Sequence, residues 1–401
     1  MNRTFVRWTP AMLAPVLVAA AAIGFSGQAS AVVDLPNKSA SQILAMINTN
    51  PDISFSGTVI KRAAMGLPPM NIIPDISQSM VDSMSKNMPK EMVDFIPKAS
   101  AQGELALALE FLAGTHKAHL YVDGTSKVRV QVLDLLSERD FIRNGADIWF
   151  YDAGKSLVKH SVINPADEAQ VRSEADNFFN TNESKLPFDV TSPAQVADYV
   201  IKQAGPYATF TVGSDARVAG RGVYQLTMTP QSTTSLVRSA TISVDALTGL
   251  PLAVAINAVG QNEPAFEVTF ETVTFETPAP ALFAFTPPVG ATVQEVAVPT
   301  QQDLMKYTGK APSPTDEKEA IAQLEKLREQ GWSAVLEIPA DKVPAQFSAG
   351  IKDNKLFTEL TKPVAGGRVF TTALLNIFIA DDGRIFVGSV TTQRLLEVAA
   401  Q

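Results

Sequence analysis

Apolar and polar residues alternate through much of the chain, most clearly from Lys127 to His160. Turn signals at Asn144-Gly145 and at Asp152-Ala153-Gly154 divide this stretch into segments of strand length. Strands joined by such short turns form an antiparallel meander, and a period of two gives the meander one apolar face. The pattern therefore predicts a sheet whose apolar face covers something apolar.

The same period predicts strands on both sides of the meander. Apolar residues alternate with small or polar ones from Leu105 to Phe111 and again from Phe266. The second alternation slips by one residue between Phe270 and Val273, which predicts a β-bulge. Leu282–Thr286 is predicted as the closing strand. Further strands are predicted at Phe55–Lys61, His116–Val122, Ser239–Asp245 and Leu252–Asn257.

A segment of helical period interrupts these strands and is rich in methionine. Met80, Met84, Met88 and Met92 recur at every fourth position, which places them near one face of a helix that continues towards Phe95. The residues allow two interpretations, a helix packed on a core or a movable lid over a cavity. Methionine adapts to irregular apolar surfaces, which favours the lid.

The pattern changes after residue 297. Residues 298–315 are polar and contain prolines, which predicts a linker. A helix at Asp316–Gln330 and a hairpin of Val369–Ala380 with Arg384–Val390 follow. We therefore expect a small α+β C-terminal domain at residues 316–401, separate from the domain of residues 32–297.

The N-terminus has the three parts of a secretory signal peptide. Arg3 and Arg7 precede an apolar run, Ala11–Ile23, which is too short to span a membrane comfortably. Ala29-Ser30-Ala31 matches a small-x-small cleavage site. We expect residues 1–31 to be removed, which leaves a soluble protein in the periplasm or cell envelope; an uncleaved N-terminal anchor is the alternative.

Composition excludes several functions. The chain carries 33 Lys and Arg against 41 Asp and Glu, a formal charge of −8. An acidic exported protein is a poor ligand for nucleic acid, and anionic lipid surfaces repel it in general. The absence of cysteine from the sequence excludes disulfides, thiolate metal sites and a lipid-modified N-terminal cysteine.

The sequence offers no catalytic constellation, since it has neither a Gly-x-Ser-x-Gly turn nor a phosphate-binding glycine loop. His116 and His119 have the spacing of a metal motif, but on a strand they point to opposite faces. Asp381-Asp382 fits a hairpin turn. We expect no enzymatic activity, no metal and no cofactor. A hydrolase of envelope lipids is the enzymatic alternative, and it lacks a nucleophile–base pair.

Two longer motifs resemble one family. Asn144–Asp152 reads NGADIWFYD, and Phe283–Val293 reads FAFTPPVGATV. They resemble the Leu/Ile-Trp-Phe-Tyr strand and the closing Phe-x-Phe-x-Pro-Pro-x-Gly-x-x-Val segment of the LolA-like periplasmic lipoprotein carriers, whose fold the sigma-E regulator RseB shares. The resemblance covers about Val32–Val298, and the additional C-terminal domain suggests an actinobacterial-type two-domain member.

This resemblance implies an α+β fold, a strongly curved antiparallel sheet that forms an incomplete β-barrel with a helical lid. The cavity would hold the acyl chains of a lipid or lipoprotein. The alternation leaves open whether Trp149 or Phe150 faces inward, and we favour Trp149. The residues expected to contact lipid are Met80, Met84, Met88, Met92 and Phe95 in the lid, and Leu107, Leu109, Phe111 and Trp149 in the sheet wall.

The chain departs from the family at one position. An Arg-Pro pair usually precedes the strand equivalent to Lys127–Leu133, and its arginine helps to latch the lid. Here the position reads Gly124-Thr125-Ser126, so the family's release mechanism has no support in this sequence. A second function remains open, a sensor resembling RseB that binds the extracytoplasmic segment of an envelope membrane protein through its C-terminal domain.

Overall fold

The computed structural model describes two sheets and their helices. The described residues are 35–47, 52–66, 113–133, 138–164, 192–213, 216–297, 322–323, 326–343 and 360–401. The expected signal peptide, methionine-rich helix, strand Leu105–Phe111 and linker 298–315 lie outside them. These expectations, and the domain boundary at residue 297, stay predictions.

In the described part of the chain, the large sheet has 13 strands. Neighbouring strands run antiparallel except for the last, which lies parallel to its partner. The order is β13-β6-β5-β4-β3-β2-β1-β12-β11-β10-β9-β7, and β8 also pairs with β9, so in the described part of the chain the sheet is open between β13 and β7. The strands are β1 (Ser54–Ala64), β2 (Ala113–Asp123), β3 (Lys127–Leu133), β4 (Glu138–Asn144), β5 (Asp147–Asp152), β6 (Leu157–Val162), β7 (Ala208–Val212), β8 (Ala216–Val218), β9 (Arg221–Pro230), β10 (Val237–Asp245), β11 (Pro251–Ala258), β12 (Phe266–Thr274) and β13 (Thr292–Glu295).

One cluster of buried side chains shows that this sheet curls. Val223 of β9 joins the cluster of Phe55 and Val59 of β1, although four strand spacings, about 19 Å in a flat sheet, separate the two strands. The Arg221 guanidinium also lies 4.5 Å from the centroid of the Phe275 ring, which follows β12. The face that carries Phe55 and Val59 is therefore the inside of the curve.

The register assigns each residue of β1 to β6 to a face, because directly opposite residues point the same way. We call the side of Phe55 and Val59 the inner face and the other side the outer face. The inner face also carries Ala118, Leu120, Val128, Val130, Val132, Phe141 and Phe150. The outer face carries Thr58, His119, Tyr121, Arg129, Asp140, Ile142, Trp149 and His160.

Among the residues that the structure describes, two helices accompany the large sheet, α1 (Ala40–Met46) and α2 (Pro193–Ala204), and they contact each other. The Ser39 hydroxyl accepts from the Gln42 amide at 3.2 Å, and the Gln42 side chain accepts from the Ser39 amide at 2.8 Å, so α1 begins with a capping box. Ile43 is fully buried against the β9 and β10 side chains. Among the described residues, no helix combines the length and hydropathy that crossing a membrane requires.

The described residues of the small sheet form five strands in the order β14-β18-β17-β16-β15, with α3 (Thr392–Ala399) packed on one side. The predicted hairpin around Asp381 to Gly383 is present. The predicted single strand Val369–Ala380 is wrong, because Thr372 breaks it: its hydroxyl accepts from the Leu375 amide at 2.9 Å in a tight turn. The strands are β14 (Leu336–Ile338), β15 (Thr361–Val364), β16 (Gly367–Thr371), β17 (Asn376–Ala380) and β18 (Ile385–Gly388).

Main-chain hydrogen bonds join the two sheets. Ser235, just before β10, forms a β-bridge with Val390, just after β18. The Leu236 amide donates to the Ser389 carbonyl at 2.9 Å, and the Thr391 amide donates to the Thr234 carbonyl at 2.8 Å. The small sheet is thus attached to the loop between β9 and β10 by the same kind of pairing that holds each sheet together.

Candidate functional site

The inner face carries an apolar track across four strands. Leu120 of β2, Val130 of β3, Phe141 of β4 and Phe150 of β5 lie directly opposite one another in succession. The track spans three strand spacings, about 14 Å. Leu120 is buried in the core cluster, whereas Phe141 is 37% exposed. The inner face thus passes from a closed core at β2 to an accessible apolar surface at β4.

Cationic residues flank the accessible end of this track. Arg139 and Arg143 lie two positions before and after Phe141 on β4, and Lys159 of β6 lies opposite Phe150. Strand alternation therefore puts all three on the inner face. The Arg143 Nε donates to the Gly145 carbonyl at 3.0 Å. An apolar surface with a cationic margin is suited to a ligand that has an apolar and an acidic part.

The outer face is covered by the segment that follows β12. The predicted strand Leu282–Thr286 is wrong, because Pro280–Leu282 forms a 3-10 turn and residues 284–288 have no regular structure. The prolines within and beside this segment cannot donate to a ladder, which explains the difference. Phe283 is 1% exposed, and the Leu282 carbonyl accepts from Arg129 Nη1 at 3.2 Å. Residues 282–288 therefore anchor a loop to the sheet, and the motif extends the sheet only at its end, where Thr292 and Val293 belong to β13.

A histidine clamp holds the end of this segment. β13 pairs parallel with β6, where the Val296 amide donates to the His160 carbonyl at 2.7 Å. The His160 ring bonds Asp147 through Nε2 and Glu295 through Nδ1, both at 2.9 Å. Burial lowers the pKa of His160, but its hydrogen bonds to the two carboxylates outweigh burial and raise that pKa above the ordinary histidine value. Two carboxylates around one ring favour the charged imidazolium.

Only Trp149 among the predicted lipid-contacting residues is described. It lies on the outer face, stacked on His160 and 5.4 Å from the Phe285 ring centroid. The orientation favoured for it is thus not the one found, and Phe150 takes the inner position. A lipid contact of Trp149 stays a prediction. The other predicted contacts, Met80, Met84, Met88, Met92, Phe95, Leu107, Leu109 and Phe111, lie outside the described residues.

A cavity of about 260 Å³ lies at the end of β1, β2 and β12. Its lining includes Arg62, Glu263 and Glu267, and Arg62 Nη1 lies 3.9 Å from the Glu267 carboxylate. Burial raises the pKa of Glu267, while Arg62 opposes the shift. This charged lining is unsuited to an acyl chain, so we place the candidate lipid site on the apolar track.

Two features of this region were not predicted from the sequence. The first is the pair of cations beside Phe141, which the alternation Arg139-x-Phe141-x-Arg143 would have placed on one face. The second is the bridging role of His160, whose partner Glu295 is distant in sequence and belongs to a four-residue strand.

The fold and the site together define a class of protein built on an open, curled and mainly antiparallel sheet whose apolar inner face is accessible. The sequence matches no protein-family model and no curated protein. Among solved structures, a chain in the MucA/MucB complex of Pseudomonas aeruginosa is similar at 14% identity, over 90% of this chain and 96% of that one, with a TM-score of 0.38. A crystal structure of MucB is similar at 13% identity over 62% of each chain, with a TM-score of 0.32.

A LolA superfamily protein from Nitrosomonas europaea is also similar, at 10% identity over 62% of this chain and 99% of that one, with a TM-score of 0.21. The chain is therefore similar to proteins of the two groups that its sequence motifs resemble, LolA-like and RseB-like. At these identities the likeness concerns the fold alone.

Proposed function

We propose that this protein is an exported carrier that holds the acyl chains of a lipid or lipoprotein on the inner face of its curved sheet. The observation that carries the proposal is the apolar track of Leu120, Val130, Phe141 and Phe150, part of which is accessible. Contiguous apolar surface exposed on a folded protein marks sites of interaction with apolar partners. The methionine-rich lid is the part of this proposal that rests on sequence.

The magnitude of acyl burial is sufficient for a carrier. Each buried methylene contributes about 0.8 kcal/mol. A chain of about sixteen carbons would thus contribute on the order of 10 kcal/mol before the costs of association are subtracted. A surface that buries only half of such a chain still binds it usefully, and full burial would make release slow.

We propose binding rather than catalysis as the role of this protein. His160, which has two carboxylate partners, is stacked on Trp149 and bonded through both ring nitrogens, an arrangement that suits a structural clamp better than a general base. The sequence supplies no nucleophile–base motif that would support a hydrolase.

Lipid content and lipid uptake test the carrier proposal. Native mass spectrometry of protein purified from its own host should show co-purifying lipid. After delipidation, the protein should bind a fluorescent fatty acid, and unlabelled lipid should compete for it. If purified protein carries no lipid and delipidated protein takes up no fatty acid, the carrier proposal is wrong.

The junction of the two sheets favours a second candidate, a sensor that binds the extracytoplasmic segment of an envelope membrane protein. The Ser235–Val390 bridge attaches the small sheet directly to the large one, so the two can present a joint surface. A pull-down from envelope extracts distinguishes the candidates. A sensor should retain one stoichiometric membrane protein, whereas a carrier should bring many lipids or lipoproteins.

A further inference from the structure

We infer that the cavity at the end of β1, β2 and β12 is a binding site for a small aliphatic amine, whose ammonium group Glu263 and Glu267 hold. The cavity has a volume of about 260 Å³ and lies at the ends of the three strands. The inference goes beyond the proposed carrier function and does not depend on it, because the charged groups of the cavity and the apolar track lie on different faces of the sheet.

The strand register places the charged part of the cavity on the outer face. Glu267 of β12 lies directly opposite Arg62 of β1, and Arg62 lies directly opposite Thr115 of β2. Arg62 follows the outer-face residue Thr58 by an even number of positions, so strand alternation turns these side chains outward. An amine bound here would therefore not compete with an acyl chain on the inner face.

Glu267 is a half-buried carboxylate that lacks a hydrogen-bond donor. Its side chain is 23% exposed, and within the described residues no group donates a hydrogen bond to it. Arg62 Nη1 lies 3.9 Å from Glu267 Oε2, which is beyond hydrogen-bond distance. A carboxylate that is partly removed from water without a donor is costly, so this group is suited to accept a hydrogen bond from a ligand.

A second carboxylate, that of Glu263, adds to the negative charge of the cavity. Burial most of all, and the charge of Glu263 as well, raise the pKa of the Glu267 carboxyl, whereas Arg62 lowers it. The described lining thus carries two carboxylates against one guanidinium. A primary ammonium group has the opposite charge and three N–H donors, so it can bond both carboxylates at once.

A buried acceptor beside the cavity is a further position for a donor. The Gln261 side chain donates through Nε2 to the Ala64 carbonyl at 3.2 Å, and Ala64 belongs to the lining. The Gln261 Oε1 atom is buried and has no hydrogen-bond partner among the described residues. Buried acceptors in folded proteins are normally paired, so this oxygen is suited to a donor that a ligand brings.

The rest of the lining favours a ligand with a short alkyl chain. Ala63, Ala64 and Pro264 contribute apolar surface, and Gly114 contributes no side chain. A Cβ atom at Gly114 would meet no other atom within 4 Å, so the space beside it is open. The described lining has no aromatic ring to hold a quaternary ammonium group by a cation–π contact, which favours a primary amine.

The test compares an amine with its uncharged isostere. Butylamine and butan-1-ol are titrated into the full-length protein at neutral pH, and binding is followed by saturation-transfer NMR of the ligand. The variants are Glu263→Gln and Glu267→Gln. Glu276→Gln, which removes the same charge from an exposed position after β12, is the matched control, and circular dichroism verifies that all variants are folded.

We expect the wild type and the control to bind butylamine but not butan-1-ol, and each cavity variant to lose about tenfold in affinity for the amine. If the wild type binds no amine, or if the control loses as much affinity as the cavity variants, the amine site is wrong. Wild-type affinity in both cavity variants also overturns it. These outcomes leave the carrier proposal intact, because fatty-acid binding is measured separately.

Discussion

Trp149 lies flat against His160, with ring centroids 3.7 Å apart and ring planes inclined by 14°. The stack fixes the imidazole so that one ring nitrogen meets Asp147 of β5 and the other meets Glu295 of β13. Three strands are thus joined at one side chain on the outer face. The closing segment depends on a titratable group for its attachment.

Stability should therefore fall as the pH rises through the pKa of His160. Since that pKa is raised in the folded protein, the clamp contributes fully below the ordinary histidine value of about 6.5 and is lost as the pH rises through the raised value. Calorimetry between roughly pH 6 and pH 9 should show a falling Tm for the wild type. His160→Asn should be less stable at the acidic end and lack this step.

Glu295→Gln provides the control for the clamp. It keeps the histidine and removes one of its two carboxylates, so it should reduce the pH-dependent step without abolishing it. If the pH-dependent fall in Tm were unchanged in His160→Asn, another group would be responsible for it. The charge on His160 would then contribute no measurable stability.

Arg129 should be essential for the stability of the contacts on the outer face. Its Nε and Nη2 donate to the Asp140 carboxylate at 3.0 and 2.8 Å, and Asp140 is 3% exposed. Arg129→Gln would leave that carboxylate buried without a cation, so we expect a loss of about 3 kcal/mol in the free energy of unfolding, measured by guanidinium denaturation. It also removes the bond to the Leu282 carbonyl.

The double variant Arg129→Gln/Asp140→Asn separates the two effects. Neutralising Asp140 removes the penalty of an unpaired buried charge, so the double variant should be more stable than Arg129→Gln alone. If it is less stable than the single variant, the dominant role of Arg129 is to hold the closing segment rather than to pair with Asp140.

Phe141 should determine acyl binding without determining stability. It is 37% exposed on the inner face, whereas Leu133 is 38% exposed on the outer face of the neighbouring strand. Phe141→Ser should weaken fatty-acid binding severalfold, because it removes apolar contact area from the track. Leu133→Ser removes a similarly exposed apolar group and should bind like the wild type in the same fluorescence titration. Equal losses would place the ligand elsewhere.

Local signals in the sequence predicted several elements correctly. The turn at Asn144-Gly145 is confirmed, because β4 and β5 pair directly across it. The slip in alternation after Phe270 is confirmed as a bulge, because Thr58 and Val59 pair with Thr272 and Phe270 and leave Glu271 without an opposite residue. Each signal depends on residues a few positions apart, so the sequence displays it directly.

Features that depend on distant pairing were not predictable in the same way. Alternation shows that Trp149 and Phe150 lie on opposite faces, but only the register with β4 and β6 shows which face is inner. β13 has four residues without a distinctive pattern, and its parallel pairing with β6 arises from the course of the preceding loop. To predict which cations lie on the inner face, both the strand register and the direction of curvature would have been needed.

The curvature itself should depend on Asp245. Its carboxylate accepts from Arg221 Nε at 2.6 Å and Nη2 at 2.9 Å and from the Thr248 hydroxyl at 2.8 Å, and it is 1% exposed. This arrangement holds the Arg221 guanidinium over the Phe275 ring, across three strand spacings. Asp245→Asn removes the charge that positions Arg221, so the free energy of unfolding should fall by about 3 kcal/mol.

Acid titration measures the interaction between Asp245 and Arg221 independently. Burial raises the pKa of Asp245, but hydrogen bonds from Arg221 and Thr248 outweigh it and hold the pKa below the ordinary aspartate value. The stabilisation is therefore present above about pH 3.9 and is lost as the pH falls through the lower folded value. In acid titrations followed by circular dichroism, the stability difference between wild type and Asp245→Asn should shrink over this range. A difference independent of pH would mean that Asp245 acts through shape rather than charge, and that the curl of the sheet is maintained by apolar packing.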